Sequence, residues 1–323
     1  MNSFFGSLDG TTAFELVACV AVLIVAVIMY RRRKGAASGA QAAPGKQELD
    51  PQDKALLLSL LAPTAKPYIK LGLVRKPLGV FDSKLGGIPY LPPGFDYPYN
   101  TEAASDKRPL RLLAQLNFAQ LPHLDGYPEK GILQFYIAYE ENSDMFGLDF
   151  DDPTGQAGWR VAFHQDVLDD ESLLQAPPEL DKGSQAYFPF EGEFGLEAQL
   201  GEQAITNSVV GWGEFVEGAV KPSPVFQALA EKYSEDTLTD VLLEASDTFG
   251  SQIGGYPSFV QDDPRYQDAF KGYAALLLQL DSWWDKEDQG IMWGDAGVAN
   301  WFIEPVALAN ANFSDILYNW DCS

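Results

Sequence analysis

The chain has 323 residues, 46% of them hydrophobic and 13% aromatic, enough for a sizeable core in one large domain or two small ones. Its 22 basic residues face 46 acidic ones, a formal net charge of −24. Such a surface repels phosphate backbones and argues against a nucleic-acid partner, and the two lone cysteines, Cys19 and Cys322, give neither a disulfide framework nor a thiolate metal site.

After a short flank (residues 1–12), residues 13–30 read AFELVACVAVLIVAVIMY, apolar apart from Glu15. A helix of this length rises about 27 Å, enough to cross a hydrocarbon core. Arg31, Arg32, Arg33 and Lys34 follow at once. A cleavable signal peptide carries its positive charge before the apolar run, whereas here the basic cluster comes after it. The expectation is a single-pass membrane protein with the N-terminus out and the C-terminal domain cytoplasmic, its first partner being the lipid bilayer. An interfacial helix is disfavoured because the segment offers no polar face. Residues 31–49 continue as a basic stop-transfer and a flexible linker rich in Ala, Gly and Gln.

The folded part, 50–323, opens with Asp50-Pro51, an N-cap and first-turn pair that predicts a helix to about Leu61. Tyr68 to Val74, Arg111 to Phe118, Ile132 to Tyr139 and Trp159 to Gln165 are strand-like, and Tyr187 to Leu200 supplies more strand. Between them lies FGLDFDDPTGQAG, whose alternating oxygens resemble what a hard cation takes. The twelve-residue loop with a closing Glu is missing, so an acidic turn is the reading adopted and no metal is expected. Pro222 to Tyr233 and Glu235 to Ser246 have helical spacing. The fold class expected is α+β: largely antiparallel sheets with few helices, internally duplicated, preceded by one transmembrane helix.

The duplication is read from three ordered phrases. Gly86-Gly87-Ile88-Pro89 matches Gly254-Gly255-Tyr256-Pro257, Gln115-Leu116-Asn117 matches Gln279-Leu280-Asp281, and Gly131-Ile132-Leu133 is set against Gly290-Ile291-Met292. The separations are 29 and 16 residues in the first copy, 25 and 11 in the second. The pseudo-repeats are placed at about 68–200 and 250–323, facing each other across a pseudo-twofold axis. Two glycines and a proline make a tight, rigid turn, which marks Gly86, Gly87, Pro89, Gly254, Gly255 and Pro257 as structural. A buried amide must be hydrogen-bonded, so each Gln either ties down its own turn or meets a ligand in a groove between the copies.

For catalysis the sequence offers little. His123 and His164 have no Cys, Ser or acidic partner at a motif spacing. No P-loop or dinucleotide fingerprint is present, and no cofactor is expected. The polar constellation singled out joins Asp281, Asp295 and Asn300 with Trp293, with Arg265 as an ion-pair partner for Asp295. Gln115, Asn117 and Gln279 complete the candidate ligand-binding set. Asp281 and Asp295 would serve an enzyme, of hydrolase type, as acid and base; alternatively Asp295 caps a turn.

LGGIPYLPPG, LLAQLNFAQLP, KGILQFYI, FGLDFDDPTGQAGWRV, IGGYPSFVQDDPR, IMWGDAGVANWFI and FSDILYNWD together resemble the YwqG-like family, a bacterial group of unknown function, from about Asp50 to the C-terminus. The resemblance implies an internally duplicated α+β domain with no assigned activity, and a bacterial inner membrane as the location of the anchor. Some members lie in gene neighbourhoods of secreted toxins, which implies immunity-type binding of a protein partner. The apolar N-terminal segment departs from the soluble members of that family. Three functions therefore stand: a membrane-tethered binding module for a protein or small ligand, an enzyme, and a structural subunit of an envelope complex.

Overall fold

The computed structural model describes residues 48–101, 108–139, 145–180, 187–247, 249–284 and 290–323. The predicted membrane segment 13–30 and nearly all of the linker lie outside them. Among the described residues no helix is long and apolar enough to cross a membrane.

The first helix, α1 (Pro51–Leu58), starts as its sequence dictates: Asp50 accepts a hydrogen bond from the Gln52 amide at 2.9 Å and Pro51 takes the first turn. It tightens into a 3-10 segment over Ser59–Thr64, where Pro63 cannot continue the α-helical ladder. Ten strands then form one sheet. They are β1 (Lys66–Val74), β2 (Lys84–Gly86), β3 (Arg111–Asn117), β4 (Ile132–Ile137), β5 (Trp159–His164), β6 (Glu193–Gln203), β7 (Ser251–Gly254), β8 (Ala275–Asp281), β11 (Val298–Ile303) and β12 (Leu317–Asp321). A separate ribbon pairs β9 (Trp283–Trp284) with β10 (Gly290–Ile291).

Every neighbouring pair is antiparallel, and the spatial order is β12-β11-β8-β7-β1-β6-β2-β3-β4-β5. The expected largely antiparallel α+β class is what forms, as a half-barrel. The order is palindromic about the β1–β6 pair. In chain order each run of five strands begins with a long strand, β1 or β6, and each of these pairs with the second strand of the other run: β1 with β7, β6 with β2. Even the irregularities agree. The β3–β4 register skips Leu113, and the β8–β11 register skips Leu277. Both leucines lie two residues before the glutamine of their strand, so each strand bends at the same place.

The third phrase match fails. Ile132 lies opposite Asn117, and Val298 lies opposite Asp281. Gly131 therefore corresponds to Gly297, not Gly290. The carbonyls of both glycines accept from the residue after the Asn or Asp: Phe118 N at 3.0 Å and Ser282 N at 3.1 Å. Gly290-Ile291 belongs to the ribbon instead. The segment 282–296 is longer than its counterpart 118–130, which displaces the likeness.

One face of each half is apolar and the two apolar faces meet. Phe135 of β4 packs against Trp301 of β11 with centroids 5.4 Å apart, Trp159 of β5 against Tyr318 of β12 at 5.5 Å, and Trp301 stacks on Tyr318 at 4.5 Å. These rings join Leu116, Leu133, Leu280 and Ala299 in one core. The groove expected between the two copies is filled by this core. A second core lies beside the sheet, where α1 packs with the short helices α2 (Trp212–Phe215), α3 (Pro224–Ala230) and α4 (Glu235–Ser246) around Leu57, Trp212, Phe226 and Leu242. Helices α2 to α4 all fall between β6 and β7. The last helix, α5 (Pro305–Ala309), connects β11 to β12.

Candidate functional site

The opposite, outer face carries a polar row, because the register puts amides side by side. In the first half Lys84 lies opposite Gln115 and Gln115 opposite Gln134. In the second half Gln252, Gln279, Asn300 and Asn319 lie opposite one another across β7, β8, β11 and β12. A double-glycine turn folds over each row. Gly86 and Gly87 have φ of 64° and 73°, Gly254 and Gly255 of 71° and 68°. A Cβ on Gly86 would sit 2.6 Å from the Gly192 carbonyl oxygen, so the turn is closed to other residues on two counts. Pro89 and Pro257 follow in their turns as expected.

Each glutamine holds its own turn. Gln115 Oε1 accepts from Tyr90 N at 2.9 Å while its Nε2 donates to the carbonyls of Val80 and Asp82 at 2.7 and 2.9 Å. Gln279 Oε1 accepts from Ser258 N at 2.8 Å while its Nε2 donates to Gly250 O at 2.7 Å and Ser258 Oγ at 3.0 Å. Tyr90 and Ser258 are the residues directly after the turn prolines. Asn117 Nδ2 donates to Phe81 O at 2.9 Å, and Asp281 accepts from Gly250 N at 2.9 Å. The backbone amides of Asn117 and Asp281 donate to Ser83 Oγ and Ser251 Oγ at 3.0 and 3.2 Å. Of the two roles open to the glutamines, the structure shows the turn-holding one.

The halves then diverge. In the first, Gln134 donates to Tyr90 O and to Gln115 Oε1, both at 2.8 Å, and its Oε1 accepts from Tyr136 Oη at 3.0 Å and His164 Nε2 at 2.9 Å. Because Gln134 Oε1 is an acceptor, His164 carries its proton on Nε2. Burial pushes this imidazole down to about 4, so it is neutral at physiological pH, and the edge-on rings of Tyr90 and Phe95 enclose it. Burial also pushes the Tyr136 phenol up, keeping it a donor. All four hydrogen-bonding positions of the Gln134 amide are filled.

In the second half the same positions hold shorter or apolar residues: Asn300 for Gln134, Phe302 for Tyr136, Asp321 for His164. Asn300 Nδ2 still donates to Ser258 O at 3.0 Å, as Gln134 does to Tyr90 O. Asn300 Oδ1 is buried without a hydrogen-bond partner among the described residues, and so is the Nδ2 of Asn319, its cross-strand neighbour. Asn300 is 0% exposed. Leaving such groups unpaired costs about 1–3 kcal/mol each.

Asn319 also lines a cleft of about 160 Å³ whose walls include Phe150, Asp151, Pro153, Pro264 and Phe270. On one side the lining residue Pro264 sits between Asp263 and Arg265, which pair with each other. Asp263 caps the Pro264–Tyr266 turn through Arg265 N at 3.0 Å, and its carboxylate holds the guanidinium at 2.8 and 2.7 Å. The guanidinium lies 4.3 Å from the centre of the Phe302 ring. Asp321 anchors the approach to that wall by accepting from Val260 N and Gln261 N at 3.1 and 2.9 Å. The other wall is the acidic turn. Asp149 accepts from Asp151 N at 2.9 Å, Asp152 accepts from Thr154 Oγ1 at 3.1 Å, and Pro153 O accepts from Tyr318 N at 3.0 Å.

The candidate residues thus separate. Asn300 is buried behind Asn319 and does not line the cleft, and Arg265, next to the lining residue Pro264, is paired with Asp263 rather than with Asp295 as expected. Trp293 is a core residue, packed on Phe146 at 5.0 Å. Asp295 is exposed, in a turn between β10 and β11, and Asp281 is buried against the β7 turn; neither lines the cleft. The sequence does not single out Gln134, Tyr136 or Asn319, and it sets His164 aside for want of a catalytic partner. Aligning GILQFYI with GVANWFI would have exposed the Gln134–Asn300 correspondence. Asn319 had no such signal.

A family described as a domain of unknown function, DUF1963, matches residues 83–322. The chain belongs to this family. No curated protein matches it. The match starts at Ser83, just before β2, and so omits β1, the strand that joins β6 to β7 at the centre of the sheet.

Proposed function

We propose that this DUF1963 member is a binding module tethered to a membrane, which recognises a protein partner through the cleft on the outer face of its second half. One observation carries the reading: Asn319, whose Nδ2 has no hydrogen-bond partner among the described residues, lines a cleft and backs onto buried Asn300, whose Oδ1 is also unpaired. The first half, with the same scaffold, closes the equivalent corner with Tyr136 and His164. Buried polar groups are nearly always satisfied, and a corner left open on one half alone suits a site that a partner completes. The resemblance of its motifs to the YwqG-like family, and the toxin neighbourhoods of some members of that family, favour immunity-type binding. The strand palindrome and the paired bulges support an internal duplication in which one copy kept a structural corner and the other gained a binding one.

The tether is residues 13–30, with the N-terminus out and the domain on the cytoplasmic side of a bacterial inner membrane. An acid–base enzyme on Asp281 and Asp295 draws no support from the cleft. The test is quantitative crosslinking of the full-length chain in its own cells, with Asn319→Trp filling the cleft. A partner captured by the wild type and lost from the variant bears the proposal out. Equal capture by both would put the binding surface elsewhere and refute it.

A further inference from the structure

Rings and a carboxylate line the cleft, and the carboxylate has no cation to meet it. Phe150 and Phe270 supply the rings, Pro153 and Pro264 flat apolar surface, and Asp151 the charge. No ion pair or side-chain hydrogen bond among the described residues engages the Asp151 carboxylate. The cations nearby are already committed, Arg265 to Asp263 and Lys271 to Asp268. Asp149, Asp152 and Asp262, exposed and within two residues of the lining ones, share the sign of Asp151, as does the net charge of −24. The field at the cleft therefore attracts a cation and repels an anion. Its space of about 160 Å³ is below the range of about 300–1,000 Å³ of sites for whole small molecules, and suits a single side chain. The chain itself shows how ring and carboxylate are used together. Asp263 holds the Arg265 guanidinium at 2.8 and 2.7 Å, and that guanidinium lies 4.3 Å from the centre of the Phe302 ring. A guanidinium is planar, stacks on rings and meets a carboxylate with two parallel N–H bonds, whereas a lysine ammonium is a compact, strongly hydrated point charge.

We infer that the cleft takes an arginine side chain of the protein partner, its stem along the Phe150 and Phe270 rings and its guanidinium on the Asp151 carboxylate. This rests on the cleft being the binding site proposed above and names the residue that enters it. The contact does not require the buried Asn300 Oδ1 or Asn319 Nδ2. A partner with a basic face follows, because the acidic surface around the cleft steers such a face in and opposes an acidic one.

The experiment titrates the full-length chain, in detergent micelles, by calorimetry with capped tetrapeptides that differ at one position: arginine, citrulline (its neutral counterpart of the same shape) or lysine. Saturable millimolar binding of the arginine peptide is expected, weakened by salt, with citrulline about ten-fold weaker and lysine also weaker. Asp151→Asn should lower the arginine affinity about ten-fold. Phe150→Ser, at a residue 64% exposed, should lower it a few-fold with little bearing on the fold. Asp236→Asn removes the same charge from an exposed position on α4 and should leave binding unchanged. The inference is overturned if the arginine peptide does not bind at millimolar concentration, if citrulline binds as well, or if Asp151→Asn and Asp236→Asn act alike. Free L-arginine binding more tightly than the peptide would make the ligand a metabolite and overturn the protein source. If the arginine peptide fails while Asn319→Trp still abolishes partner capture, the side chain named is wrong and the binding-module reading survives. If the peptide binds as expected while Asn319→Trp captures partners like the wild type, the arginine chemistry stands and the partner reading fails.

Discussion

The two outer-face corners are built on one scaffold and end differently. Both have a double-glycine turn, a glutamine that holds it, an amide on the next strand and a bulge at the matching leucine. In the first half Gln134 is long enough to reach Gln115, and Tyr136 and His164 complete its bonding. In the second, Asn300 is one methylene shorter, Phe302 has no hydroxyl, and Asp321 is turned to Val260 and Gln261. A buried polar network is rigid when every member is paired and weak when one is not. The comparison separates a corner whose amide is fully paired from one that leaves two buried polar atoms unpaired, although their glutamines and turns match.

The largest expected effect lies in the closed corner. Gln134→Leu strands Tyr90 O, Tyr136 Oη and His164 Nε2 together and should cost about 3–5 kcal/mol in urea unfolding, whereas Asn300→Leu forfeits one bond, to Ser258 O, and should cost about 1–2 kcal/mol. Equal costs would mean that the corners are energetically alike.

His164 gives the next effect. Its folded value, about 4, is below the ordinary 6.5, so the unfolded chain binds the proton first as pH falls. Its contribution is intact above pH 6.5 and is lost between about 6.5 and 4, up to about 3 kcal/mol in all. His164→Gln should flatten that window of the pH–stability curve, and an unchanged slope would contradict the assignment.

Lys84 is smaller. It is 1% exposed, donates to Gly79 O, and burial pushes it down to about 8 from 10.5. Folding therefore favours its neutral form, and stability should rise as pH climbs from about 8 to 10.5. The second half has Gln252 at this position. Lys84→Gln should remove the rise and leave the protein at pH 7 within about 1 kcal/mol of the wild type or above it. A loss of several kcal/mol would show that the ammonium is needed.

Much of this was legible beforehand. Asp50-Pro51 announced α1, strand-like apolar stretches announced β3, β4 and β5, and the GGxP phrases located two turns of matching conformation. The QLN and QLD phrases placed Gln115 and Gln279, whose side chains stay within their own halves. The third phrase misled, because GI recurs in a separate two-stranded ribbon while the true counterpart, Gly297-Val298, lies further along the chain. The His164–Gln134 bond joins residues 30 apart in sequence and follows from strand register alone. The open corner was hidden for a similar reason. Asn300 and Asn319 meet only once β11 and β12 pair, and no local pattern marks an asparagine as unpaired. The groove sought between the copies could not form, since Trp293, Trp301, Tyr318 and Trp320 fill that space.

The central claim is that the second corner carries an unmet hydrogen-bonding demand kept for a ligand. The most direct measurement is the unfolding free energy of Asn319→Leu against wild type without ligand. If Asn319 Nδ2 is buried and unpaired, an apolar side chain there removes a desolvation penalty, and the variant should be more stable by about 1 kcal/mol. Destabilisation by 1 kcal/mol or more would show that the carboxamide is already bonded within the fold, and the open corner would be no site at all.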